Sequence, residues 1–295
     1  MVKNHHNKIT KDDIGLVFGA ILPHGPDVVL ELTKDPALMA QTRAAMEQAG
    51  RRFAVAKIDA LILLDPVLVH TQNKSATRSL FAGPGTLSIG TAAYASGTLV
   101  DDTPDRFECD VVLAQAIVVA GRKAYLPVAP ATDEKDELPI VYGALIPLWF
   151  TLRPMAASRP KLVVIAPSPG VPREELVRFG GLLAEVAQDS GKRVALIASA
   201  DHGHTHDPNH KKFGFSPASA QYDTRYCKAI TDGRLDSLLD VSDQMLKDSW
   251  ADSLWPTLVL AGALKKVPMA VDLLSYEAPS YYGMAVAVYE GCRRK

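Results

Sequence analysis

Short apolar runs alternate with longer amphipathic stretches along this chain. The runs at 14–22, 60–64, 161–166, 193–200 and 284–289 are apolar at nearly every position, the pattern of strands buried on both faces. Between them, 37–56, 110–120, 142–152, 172–190, 216–232, 242–250 and 253–264 read as helices, the first with Leu38, Thr42, Ala45 and Met46 among its spaced small or apolar positions. Strands separated by helices predict an α/β fold with a central, largely parallel sheet flanked by helices. The stretch 73–106 is rich in Gly, Ser and Thr. It predicts a loop with a small hairpin over the site. No repeat and no compositional break interrupts the rest. Residues 14–295 therefore read as one α/β domain behind a polar leader at 1–13.

Composition narrows the function. The 295 residues are 47% hydrophobic, ample for a buried core. Formal net charge is −1 and no long Lys/Arg run occurs, which argues against a nucleic-acid partner or a basic membrane surface. No apolar run is long enough to span a bilayer. The leader has no apolar core of a secretory signal, and His5 and His6 within it read as part of a solvated end. Cys109, Cys227 and Cys292 show no C-x-x-C spacing, so neither a zinc knuckle nor a disulfide framework is expected. The expected setting is cytoplasmic.

Three of the eight histidines, His202, His204 and His206, lie within five residues at the end of the 193–200 strand. Residues leaving a buried strand are well placed to meet a ligand, and imidazole suits both proton transfer and metal binding. If that segment stays extended, the three point to one side. The alternative is a polar loop satisfied by water, Asp201 and Asp207. His24 ends another strand, between Pro23 and Gly25, where glycine allows a sharp turn. It reads as a metal ligand or acid/base, or as a loop cap. His70 follows the second strand at a spacing that fits a ligand poorly. His210 reads as a surface residue. Asp252 precedes an apolar helix, as a helix cap or as an inward carboxylate ligand. No G-x-G-x-x-G after a strand, no P-loop and no G-x-S-x-G occurs.

Together these pieces resemble the class III extradiol ring-cleavage dioxygenases, the family of the protocatechuate 4,5-dioxygenase catalytic subunit, over nearly the whole chain. The marks are FGAILPHG at 18–25, GALIPLWF at 143–150 and RVALIASADHGH at 193–204. FGFSP at 213–217, DSLW at 252–255, LAGAL at 260–264, LSYEAP at 274–279 and YGM at 282–284 follow in order. The resemblance implies non-haem Fe(II) held by two histidines and a carboxylate, with a further histidine as acid/base. It implies a catechol- or aminophenol-type aromatic and O2 as substrates. It also implies assembly as a homo-oligomer or with a second subunit. On it, His24 matches the first iron histidine, His204 the acid/base, and Asp252 the carboxylate.

Three positions depart from the family pattern. Pro66-Val67 stands where Pro-His is usual, so the second iron histidine is missing. Val141 stands near a position that commonly carries Asp or His. His202 stands where another polar residue is common. His70 or His202 could rebuild the site. Otherwise the chain is a metal-free homologue, either a partner subunit or an enzyme using His204 for metal-independent acid/base chemistry.

Overall fold

The computed structural model describes residues 14–70, 84–101, 103–132 and 135–291, with backbone alone at 69, 70, 156 and 157. The chain begins with strand β1 (Gly15–Leu22), helix α1 (Ala40–Val55), strand β2 (Ala60–Leu64) and the short helix α2 (Val67–His70). There follow β3 (Leu87–Gly90), β4 (Tyr94–Gly97), β5 (Asp105–Glu108), α3 (Val111–Lys123), β6 (Val128–Ala131), β7 (Glu137–Pro139) and α4 (Tyr142–Thr151). Next are β8 (Lys161–Ala166), α5 (Arg173–Asp189), β9 (Arg193–Ser199) and α6 (Pro217–Thr231). Helices α7 (Asp243–Ser249) and α8 (Leu254–Lys266) then lead to β10 (Ala270–Glu277) and β11 (Met284–Glu290).

Eight strands form the main sheet in the order β10-β11-β1-β9-β2-β8-β3-β6. The middle four, β1, β9, β2 and β8, run parallel, while β11 and β3 flank them antiparallel. This is the α/β architecture that the alternating runs predict. The parallel strands are apolar throughout because each face of the sheet packs on its own core. Leu61, Leu63, Val164 and Ile197 meet Met46 and Phe53 of α1 and Leu148 of α4. Ile62, Leu64, Val163 and Leu196 meet Leu113, Phe179, Tyr226 and Leu258 of α3, α5, α6 and α8. In β1, Leu16 belongs to one core and Phe18 to the other, although they are two residues apart. A register shift against β9 between these residues explains it, since one extra residue reverses the facing of a strand.

Helices α5 and α8 cross backbone against backbone. A Cβ at Gly180 would stand 1.8 Å from the Val259 carbonyl oxygen, and one at Gly262 1.9 Å from that of Val177. Helix α1 starts later than the sequence pattern predicts, because Met39 adopts a left-handed conformation (φ 56°). The expected hairpin exists as β4 and β5, which with β7 form a separate three-stranded sheet. It contributes no residue to the cavity described below, whereas β3 joins the main sheet. The expected leader and residues 71–83 lie outside the described residues. Among the described residues no helix is long and apolar enough to cross a membrane.

Candidate active site

Three neighbouring parallel strands each deliver an ionisable residue at the same edge of the sheet: His24 after β1, Asp65 after β2 and Asp201 after β9. The carboxyl ends of parallel strands are where open α/β sheets bind ligands. Asp252 joins them from the loop between α7 and α8.

His24 is 2% exposed and held at three atoms. Its backbone N–H donates to Asp201 Oδ1 at 2.8 Å. Its Nδ1 lies 2.8 Å from Ser199 Oγ, and the Ser199 hydroxyl donates to the Gly143 carbonyl at 2.5 Å. The serine proton is thereby committed, so Nδ1–H is the donor. Nε2 faces Asp252 Oδ2 at 3.2 Å and Asp201 Oδ2 at 3.7 Å. Burial by itself would lower the His24 pKa. The charges of Asp201 and Asp252, with the hydrogen bond to Asp252, outweigh it and raise the value to about 10.

The carboxylates answer this differently. Burial pushes the Asp252 carboxyl upward, but the charge and hydrogen bond of His24 hold it below its ordinary value. Asp252 Oδ1 also accepts the Asp201 N–H at 3.0 Å. Its carboxylate is thus turned inward; the residue at the α8 cap is Ser253, whose side chain makes no capping bond. Asp65 is fully buried. Its Oδ1 accepts the Val67 N–H at 2.8 Å and its Oδ2 has no partner. Burial lifts its pKa to about 7 despite the opposing charge of His24. The chain does turn at Gly25, whose carbonyl accepts the Val28 N–H at 3.3 Å, but with φ at −64° the turn does not call on the conformational freedom of glycine. It is needed for space, because a Cβ there would lie 2.1 Å from the Tyr282 ring.

Beside this cluster lies a cavity of about 490 Å³, lined by Val67, Tyr142, His204, Lys212, Phe213, Leu246, Lys247, Trp250, Ala251, Asp252 and Trp255. The His204 ring is nearly parallel to Tyr282 (23°, centroids 6.0 Å apart) and stands 5.3 Å from Phe213. Its Nδ1 is buried without a partner, which leaves Nε2 to meet a ligand. Burial and the nearby Asp252 push the Tyr142 hydroxyl up to about 12, so it remains a hydrogen-bond donor.

The histidine cluster does not share one face. His202 is fully buried, with its ring edge-on to Tyr226 at 4.1 Å and both nitrogens unpartnered. Burial lowers its pKa and keeps it neutral. It does not line the cavity. His206 Nε2 meets Asp223 Oδ2 at 2.8 Å. Thus His202 and His206 turn toward α6, and His204 alone turns to the cavity. The reason is that the backbone leaves the strand after Ser199: the N–H groups of His202 and His206 bond Gly283 and Tyr281, while that of His204 bonds Ser249. His210 is half-buried rather than a free surface residue and stacks on Tyr281 at 4.0 Å. His70 ends α2, with its side chain outside the described residues.

Sequence reasoning passed over Asp65 and Asp201 as site residues, although each follows an apolar strand as His24 does. Nothing in the local sequence marks Ser199, or Tyr142, Phe213, Trp250 and Trp255 as the cavity wall.

An iron centre of two histidines and a carboxylate needs three donors around one point. His24 and Asp252 supply two, 3.2 Å apart. Val67, where the resemblance places the second histidine, lines the same cavity at 4% exposure and offers only methyl groups. Among the described residues no group of three or more His, Cys, Asp or Glu is arranged to hold a metal ion. The residues described here do not fit a complete iron site of that kind.

Comparison with known proteins agrees with the fold. A crystal structure of an uncharacterized protein from Escherichia coli K12 shares the fold, with a TM-score of 0.59 at 17% identity, over 93% of this chain and 100% of that one. No curated protein matches the sequence. Residues 19–287 match the family model described as the catalytic LigB subunit of aromatic ring-opening dioxygenase. The chain belongs to that family.

Proposed function

We propose that this chain acts on a small aromatic of catechol or aminophenol type, with His204 as the acid/base that moves a ring-hydroxyl proton. The cavity carries this reading: His204 and Asp252 open onto one space walled by Tyr142, Phe213, Trp250 and Trp255. Such walls favour a flat ring through stacking and apolar burial. A ring hydroxyl turned to His204 would give its proton to Nε2, the O–H electron pair staying on the phenolate oxygen. The Tyr142 hydroxyl can donate to that oxygen, and Lys212 and Lys247 lower the cost of its charge. Asp252, ionised against His24, can accept from the neighbouring hydroxyl.

Ring opening with Fe(II) and O2 is the form of this activity that the family implies. Bound iron would draw on His24 and Asp252, and the sequence offers His70 as the further ligand. A second reading has neither iron nor oxygen: the chain is then a partner subunit of a two-subunit dioxygenase, or an enzyme using His204 alone for acid/base chemistry. Val67 and the closed His24–Asp252 pair favour this second reading.

The deciding experiment is anaerobic reconstitution with Fe(II), a count of bound metal, and O2 uptake with a panel of catechols and aminophenols. About one iron per chain with substrate-dependent uptake supports ring opening. Aromatic binding with neither iron nor uptake supports the second reading. Failure to bind any member of the panel overturns both enzymatic readings and leaves only the partner subunit.

A further inference from the structure

We infer that Asp223, on α6 and outside the cavity, is the residue that positions His204, by clamping the chain on both sides of it. The inference rests on the reading of His204 as acid/base.

Asp223 is 1% exposed and accepts three hydrogen bonds. Oδ1 takes the N–H of Gly203, the residue before His204, at 2.8 Å. Oδ2 takes His206 Nε2–H, two residues after His204, at 2.8 Å, and the Tyr276 hydroxyl of β10 at 2.7 Å. One helical turn earlier, Ser219 Oγ accepts the Thr205 N–H at 2.9 Å and pairs with Thr205 Oγ1 at 2.7 Å. Positions 203, 205 and 206 are therefore tied to α6 by side chains. The His204 N–H points elsewhere, to the Ser249 carbonyl at 2.7 Å.

The His204 ring receives no such help. No carboxylate meets its buried Nδ1, unlike a catalytic triad, where the acid bonds the imidazole directly. Here the acid holds the flanking peptide segments, and aromatic rings steer the imidazole. The approach of α6 leaves room for nothing else: a Cβ at Gly203 would lie 2.4 Å from Ser219 Cβ and 2.6 Å from its Cα. A Cβ at Gly283 would lie 2.1 Å from Asp223 Oδ2. A carboxylate so deeply buried is tolerated because all its donors are in place.

The test uses 4-nitrocatechol, whose phenol and phenolate forms differ in visible absorption. Bound to the wild-type protein, the probe should be more ionised than free probe at the same pH, and His204→Ala should remove that excess. Asp223→Asn keeps the volume but sets an amide against the donors of His206 and Tyr276. It should lower the phenolate-to-phenol ratio of bound probe by roughly tenfold, the scale expected of a misplaced proton acceptor. Affinity for nitrobenzene, which has no proton to give, should stay at the wild-type value. Tyr276→Phe removes a bond to the same carboxylate without touching the His204 segment. It should lower the melting temperature and leave the bound spectrum unchanged. If Asp223→Asn does not fold, His206→Gln breaks one arm of the clamp and should give a smaller loss in the same direction. An unchanged ratio in whichever of these two variants folds, with His204→Ala still reduced, overturns the role of Asp223 alone. An unchanged ratio in His204→Ala, or equal spectra for free and wild-type-bound probe, overturns the acid/base reading and this inference with it.

Discussion

Two histidines at the carboxyl edge of the sheet, His24 and His204, are held in opposite ways. The backbone N–H and both ring nitrogens of His24 have partners, two of them carboxylates. The His204 ring is steered by Phe213, Tyr281 and Tyr282, and its Nδ1 has no partner. The ion cluster fixes a charge: a group raised to about 10 keeps its proton at neutral pH. The aromatic wall fixes a place and leaves Nδ1 without a partner. An acid/base must take and release a proton near working pH, which a histidine held protonated does not do, so the contrast supports the proposal that His204 moves the proton while His24 balances charge.

The sharpest way to break the comparison is His204→Ala. Turnover of a substrate found by the aromatic panel should fall by roughly 10²–10⁴-fold, while urea unfolding shifts by less than about 1 kcal/mol. A large loss of stability with little loss of rate would reverse the two roles. The converse variant, His24→Ala, leaves buried carboxylates without their cation. It should cost about 3–5 kcal/mol at pH 7, read by the same denaturation; a cost below about 1 kcal/mol would show that the cluster does not need its charge.

Val67→His tests whether His24 and Asp252 still form two corners of a metal site. It should tighten Co(II) binding by roughly tenfold or more, followed by its visible spectrum. No change would mean that the pair is closed to metal for reasons beyond Val67.

Asp65→Asn has the smallest expected effect and a sign set by pH. The carboxyl titrates near 3.8 unfolded and at about 7 folded, so the native state binds the extra proton between these values. Stability from this group is therefore present below about pH 4 and lost as pH rises toward 7. Asparagine should be neutral at pH 4 and stabilising by about 1–2 kcal/mol at pH 8, measured by urea melts at both. The stabilisation from His24 is full below about pH 6.5 and is lost as pH rises from there to its folded value of about 10. An equal effect of Asp65→Asn at both pH values would exclude buried charge as its cause.

The parallel centre of the fold was legible because β1, β2, β8 and β9 are apolar on both faces, a pattern few other elements mimic. β10 escaped notice because its half-exposed sequence, with Asp272, Ser275 and Glu277, does not alternate cleanly. β3 and β6 are four residues each, in Gly- and Pro-containing sequence. At the site, His24, His204 and Asp252 could be named from strand ends and from the family resemblance. Their pairings could not: Ser199 and Asp252 meet His24 from 175 and 228 residues away, and no local rule spans such distances. The even spacing of His202, His204 and His206 misled for a related reason. It assumes an extended backbone, which tertiary hydrogen bonds to Ser249, Tyr281 and Gly283 replace.

The crossing of α5 and α8 has a bearing on inheritance. Asp252 sits two residues before α8, so it travels with that helix. A mutation giving either Gly180 or Gly262 a side chain would force the helices apart by about the width of a methyl group and carry the aspartate away from His24. Lineages that preserve the aspartate but lose either glycine should lose the ion pair all the same, which makes two glycine codons as decisive for this carboxylate as its own.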